Sequence, residues 1–88
     1  MTWTINFTGK ALKELKKIDR ATQRRIRDYL KDRISTAKDA RQYGKALQGS
    51  KKALWRYRVG NYRILTKIED KQLIVLVISV NHRSKVYL

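Results

Sequence analysis

Three arginines crowd one short stretch of this chain: Arg56, Arg58 and Arg63 fall within Trp55 to Leu65, on either side of Gly60-Asn61. Those two turn residues accept the positive φ that a two-residue hairpin demands, so the stretch reads as two antiparallel strands. With that turn, Val59 faces Tyr62, Arg58 faces Arg63, Tyr57 faces Ile64 and Arg56 faces Leu65. Alternation then puts Arg56, Arg58 and Arg63 on one face with Leu54, Leu65 and Lys67. Trp55, Tyr57, Val59, Tyr62, Ile64 and Ile68 take the other, the core face. Directly opposed like charges destabilise a sheet by roughly 0.2 to 1 kcal/mol per pair, and no Asp or Glu stands between Ala40 and Ile68 to relieve them. Forked guanidinium donors suit bidentate contacts to phosphate, so the hairpin is expected to hold a nucleic-acid backbone. The alternative is a solvated face whose charge discourages edge-to-edge aggregation. Lys45, Lys51 and Lys52 extend the basic track.

The whole chain carries the same bias. In 88 residues, 22 Lys and Arg outnumber 7 Asp and Glu, for a net charge of +15, a self-repulsion that an anionic partner would relieve. A membrane-surface protein would set its basic residues opposite a broad apolar helix face, and a targeting peptide would place an apolar run near the N-terminus; neither pattern is present. The longest apolar run, Leu73 to Ile78, is too short to span a bilayer. A soluble, non-secreted protein is expected, and the lack of cysteine fits the cytosol. A single histidine argues against a conventional zinc site, and no cofactor is expected.

The elements that must position the arginines follow from periodicity. Trp3, Ile5 and Phe7 alternate with Thr4 and Asn6, as in a half-buried strand. Thr8 can cap a helix in which Ala11, Leu12, Leu15 and Ile18 form the apolar stripe while Lys10, Lys13, Glu14, Lys16 and Lys17 face water. Asp19 can cap a second helix, with Ala21, Ile26, Tyr29, Leu30 and Ile34 as its stripe. Ser35 to Ser50 reads as a connection with one helical turn around Asp39 to Tyr43. Three β runs follow: Leu54 to Val59, Tyr62 to Glu69 and Leu73 to Val80, with Asp70, Lys71 and Gln72 at the second turn. The last run lacks polar alternation, which predicts an interior strand covered on both faces. The expected fold is α+β in the order βααβββ: one domain over residues 1–88, with two N-terminal helices packed on a mainly antiparallel four-stranded sheet.

The segment WRYRVGNYRILTKIEDKQLIVLVISVNHRSKVYL resembles the RelE/ParE superfamily of bacterial toxins, whose members pair an R-x-R-x-G-x-Y-R hairpin with a terminal H-R-x-x-V-Y segment. The β-α-α opening with ALKELKKID is similar too, so the likeness covers the whole chain. It is greatest to the RelE-type interferases. It implies a toxin of a type II toxin–antitoxin system: a ribosome-dependent endoribonuclease that cuts messenger RNA in the ribosomal A site by metal-free attack of the 2′-hydroxyl. It also implies a cognate RelB-like antitoxin, which binds operator DNA in such pairs, and a cytoplasmic location without membrane attachment.

That chemistry needs a base for the 2′-hydroxyl, donors for the charged pentavalent phosphate and an acid for the leaving 5′-oxygen. The resemblance makes Tyr87 the base, its phenol acidified by neighbouring guanidinium groups, although Tyr87 next to the last residue could instead only pack. It makes Arg63 and Arg83 the stabilisers of the phosphate, while Arg83 could alternatively pair with Asp70. Arg56 and Arg58, with Lys51 and Lys52, match as substrate binders; a guanidinium does not give up a proton near neutrality, so they match less well as acids. His82 is carried over as a substrate-side residue that orients the loop or supplies the acid. Two rivals remain. One is the ParE-like branch that poisons DNA gyrase; the other is a non-catalytic basic RNA-binding module, against which stands the lack of a Gly-x-x-Gly clamp.

Overall fold

The computed structural model describes residues 2–49 and 53–84. Strand β1 (Thr4–Phe7) leads into helix α1 (Gly9–Lys16), which starts where the Thr8 side chain accepts a hydrogen bond from the Ala11 N–H at 3.1 Å. Helix α2 (Arg20–Tyr29) is capped in the same way by Asp19, which accepts from the Thr22 N–H at 3.0 Å. Each cap satisfies a backbone donor that the first helical turn leaves without a partner. Beyond Tyr29 the helix widens into one π-helical turn, Leu30–Ile34, closed by the Ser35 N–H donating to the Leu30 carbonyl at 2.8 Å.

Among the described residues the sheet has five strands, one more than expected. After a short 3-10 turn at Ala40–Gln42 comes β2 (Lys45–Ala46), then β3 (Trp55–Val59), β4 (Tyr62–Glu69) and β5 (Ile74–His82). The order across the sheet is β1-β5-β4-β3-β2, with β1 parallel to β5 and the other neighbours antiparallel. Two residues are too few to show a hydrophobic period, which is why β2 lay hidden within a stretch that reads as a connection. Gly44 makes this extra strand possible. It sits at φ +81°, and a Cβ there would run into the Arg56 carbonyl oxygen of β3 and approach Tyr57 Cδ1 at 2.8 Å.

The hairpin register is the expected one: Gly60 has φ +57°, and Val59, Arg58, Tyr57 and Arg56 face Tyr62, Arg63, Ile64 and Leu65. Strand β5 lies inside the sheet, but its faces are unequal: Val75, Val77 and Val80 are buried towards the helices, whereas Ile74 and Leu76 are half-buried. The spacing of those three valines breaks strict alternation. A bulge resolves it: Leu65 pairs with Ser79 and Thr66 with Val77, so Ile78 is the extra residue. Val80 thus returns to the core opposite Ile64, and Asn81 falls opposite Arg63.

The core lies between the sheet and the helices, built from Leu15, Ile26, Leu30 and Ile34 against Tyr57, Ile64, Val75, Val77 and Val80. Ala21, expected in the α2 stripe, is exposed. Two buried polar tips are satisfied by backbone: Trp3 Nε1 donates to the Ala37 carbonyl at 3.1 Å and the Tyr57 hydroxyl to the Ala40 carbonyl at 2.6 Å. The second bond, with Trp55 Nε1 donating to the Tyr43 carbonyl at 2.6 Å, ties the 40–44 segment to β3. Gly44→Ala should therefore lower unfolding free energy by about 1–3 kcal/mol through strain at a positive φ and the clash with β3. A urea titration with an unchanged midpoint would show that the close approach is not required.

Candidate nucleic-acid interface

Arg56 and Arg58 project from β3 and Arg63 from β4, on the face turned away from the helices. Arg58 and Arg63 are directly opposed. Arg83 follows the end of β5, and its N–H donates to the Asn61 carbonyl at 2.7 Å, which anchors it beside the hairpin turn. The consequence falls on Arg63: burial, then the charges of Arg58, Arg56 and Arg83 in that order, hold its guanidinium below the usual arginine range. The four guanidinium groups thus form one field. Arg63 is poorly served inside it. Its Nε is buried and finds no hydrogen-bond partner among the described residues, and its Nη1 reaches the Gly60 and Tyr62 carbonyls only at 3.5 and 3.4 Å. An anion with two or more acceptor oxygens would supply what is missing.

The field opens into a cleft of about 290 Å³ at the edge of β3, where Lys45 of β2 stands opposite Arg56. Tyr29, Tyr43 and Gly44 form its other wall. These two tyrosines were not singled out from sequence as site residues. Nothing in their spacing marks them, because Tyr43 reaches the cleft only through the turn at Gly44.

His82 is not brought to this cleft. It is paired across the strands with Tyr62, on the opposite side of the sheet from Arg63, and its ring meets the Tyr62 ring edge-on at 5.5 Å. Its Nδ1 lies 3.0 Å from the Ser84 hydroxyl and accepts from the Ser84 N–H at 3.3 Å, contacts that fix the loop after β5. Asp70 does not pair with Arg83: Arg41 binds its carboxylate in bidentate fashion at 2.7 and 2.9 Å and lowers its pKa. Tyr87, Lys51 and Lys52 lie outside the described residues. Among the described residues, no group of three or more His, Cys, Asp and Glu is placed to hold a metal ion, and no helix is long and apolar enough to cross a membrane.

Glu14 is the main departure from the expected surface of α1. Rather than facing water, its carboxylate accepts hydrogen bonds from the Val80 N–H and the Ser79 hydroxyl, both at 3.1 Å, and from Asn81 Nδ2 at 2.8 Å. Strand β1 pairs only as far as Val77, so Glu14 takes over the free edge of β5 just where that strand approaches the arginines. A lone acid among the lysines of α1 was the available signal. Burial alone would raise its pKa, but the bonds from Val80, Asn81 and Ser79, with Lys10 nearby, more than reverse this and leave it lowered.

The sequence and the fold now identify the family. A profile described as "ParE toxin of type II toxin-antitoxin system, parDE" matches residues 5–87, and the chain belongs to this family, within the RelE/ParE superfamily. It is similar to Toxin RelG of Mycobacterium tuberculosis, with 26% identity over 87 residues covering 99% of this chain and 98% of that one. Among solved structures, the toxin–antitoxin complex RelBE2 of M. tuberculosis superposes with a TM-score of 0.84 at 25% identity, covering 97% of this chain and 95% of that chain. A mutant of E. coli toxin RelE in the free state gives 0.79 at 21% identity, covering 99% and 90%, and shares the fold.

Glu14→Ala should cost about 1–3 kcal/mol at neutral pH, since it leaves the Val80 N–H without its acceptor. The sign with pH follows from the lowered value: the unfolded chain binds the proton more readily, so the contribution is full above the ordinary carboxylate range and is lost as pH falls through the folded value. Denaturant melts should show the gap between wild type and Glu14→Ala narrowing as pH falls through and below the ordinary carboxylate range. A gap independent of pH would contradict the carboxylate clamp.

Proposed function

We propose that the protein is a ribosome-dependent endoribonuclease toxin that cuts messenger RNA in the A site and is held inactive by a RelB-like antitoxin. The observation that carries this reading is the state of Arg63: pressed by three other arginines and with a buried donor that no described residue serves, it is suited to an anionic, multi-oxygen ligand. In-line cleavage forms the O2′–P bond and breaks the P–O5′ bond. The 2′-hydroxyl proton goes to the base, for which the family motif offers Tyr87, and charge accumulates on the phosphoryl oxygens. Arg63 and Arg83 are the donors for those oxygens, and their benefit is largest in the transition state, where the charge is largest. Arg56 and Arg58 hold the flanking backbone, with Lys51 and Lys52 as further cations. His82 orients the loop that carries Arg83. The leaving 5′-oxygen takes its proton from solvent water, because the arginines do not give one up near neutrality.

The net charge of +15 also fits the antitoxin. An acidic or amphipathic segment would neutralise the arginine field with salt-sensitive association rates, and operator DNA would be bound through that partner. RelBE2 of M. tuberculosis is a toxin–antitoxin complex, and this chain is inferred to meet its partner in the cytoplasm.

A gyrase poison is the second reading, favoured by the ParE profile. A purified translation system separates the two: transcripts should be cut only when ribosomes are present. Uncut message together with accumulated cleaved DNA–gyrase complexes would overturn the proposal. Arg83→Ala and Tyr87→Phe should each abolish toxicity in cells while leaving ribosome affinity within about tenfold, a loss confined to the transition state. Full toxicity in both variants would remove these residues from the mechanism.

A further inference from the structure

The cleft beside the arginines has a wall that phosphate binding does not use. Tyr29 and Tyr43 are half-buried at its inner side, facing the cations Lys45, Arg56 and Arg58. Both residues are held in place. Tyr29 meets the buried Tyr57 ring edge-on at 6.1 Å, and the Tyr43 backbone is fixed by the bond from Trp55 Nε1 at 2.6 Å. Gly44, pressed against β3, locks the turn that presents Tyr43. Burial, with the neighbouring Tyr43, raises the Tyr29 pKa against the opposing charge of Arg33.

A cleft with aromatic surface on one side and guanidinium donors on the other matches the two halves of a nucleotide. A phosphate alone would leave the rings unused. An acidic peptide would need the cations but gains nothing specific from the two phenol rings. Single-stranded nucleic acid uses both, because every base offers a face for stacking while its phosphates meet the positive groove. At about 290 Å³ the space is at the small end of ligand clefts, suited to one nucleoside.

We propose that this cleft is a base-stacking subsite, in which Tyr43, backed by Tyr29, receives an unstacked base of single-stranded RNA next to the phosphate held by Arg58 and Arg63. The proposal rests on the ribonuclease reading, since it names how that substrate is gripped beside the cut. The subsite makes no demand on base identity, because stacking is tolerant of sequence. It sets which nucleotide lies at the cleaved phosphate by fixing its neighbour.

The test measures direct binding, which needs neither ribosomes nor cleavage. Wild-type protein should bind a short oligoadenylate about tenfold more tightly than a ribose-phosphate chain of equal length lacking bases. Equal affinity would overturn the subsite. Tyr43→Leu, which keeps apolar bulk, should lose that preference and leave affinity for inorganic tripolyphosphate unchanged, and Tyr43→Phe should restore it. A Tyr43→Leu protein that retains the preference, or that loses oligoadenylate and tripolyphosphate binding equally, would also overturn it. Failure of the ribonuclease reading shows elsewhere, as uncut message with wild-type toxin on programmed ribosomes. Intact cleavage without any base preference in binding would remove only the subsite.

Discussion

Arg58 and Arg63 face each other across two hydrogen-bonded strands, and most of the structure is arranged around that repulsion. A hairpin closed by Gly60-Asn61 leaves no freedom of register, so the two guanidinium groups cannot slide apart by re-pairing without turning Tyr57 and Ile64 out of the core. The hydrophobic face of the hairpin thus enforces the charge crowding on its other face. Core burial of Tyr57, Val59 and Ile64 is worth several kcal/mol, at about 1.5–3 kcal/mol per side chain, against a fraction of that for an opposed like-charge pair. Packing wins, and the electrostatic demand is left for a ligand.

Strand β5 and α1 bring the rest of the field to that point. The bulge at Ile78 lets Val80 remain in the core while Asn81 falls opposite Arg63 and the chain proceeds to Arg83. Glu14 holds the edge of the same segment through three hydrogen bonds, replacing the neighbour that β5 lacks beyond Val77. Only 7 acidic residues are present, and Glu14 and Asp70 are both committed to structure, at β5 and at Arg41. These two acids hold the frame of the protein rather than neutralising the arginine field.

How much of this could be read in advance depended on whether local pattern or distant contact decided it. The hairpin, its register and the arginine face were legible because the turn residues and a period of two determine them together. The helix caps at Thr8 and Asp19 were legible for the same local reason. Strand β2 was not, since two residues carry no period and their pairing depends on the space left by Gly44 beside β3. Glu14 was read as solvent-facing because helix periodicity places it next to lysines, whereas a strand 66 residues away claims it. The terminal H-R-x-x-V-Y motif suggested His82 beside the arginines, but alternation along β5 sends its side chain to the Tyr62 face. Tyr43 entered the cleft through tertiary placement alone.

The central claim is that this arginine field serves attack by a 2′-hydroxyl on a phosphate held within it. A message carrying 2′-deoxyribose at the single nucleotide 5′ to the cut site, offered to the toxin on programmed ribosomes, tests that claim most directly. Cleavage at that bond should disappear while the neighbouring all-ribose message is still cut. Undiminished cleavage of the deoxy-substituted bond would contradict the chemistry assigned to the site.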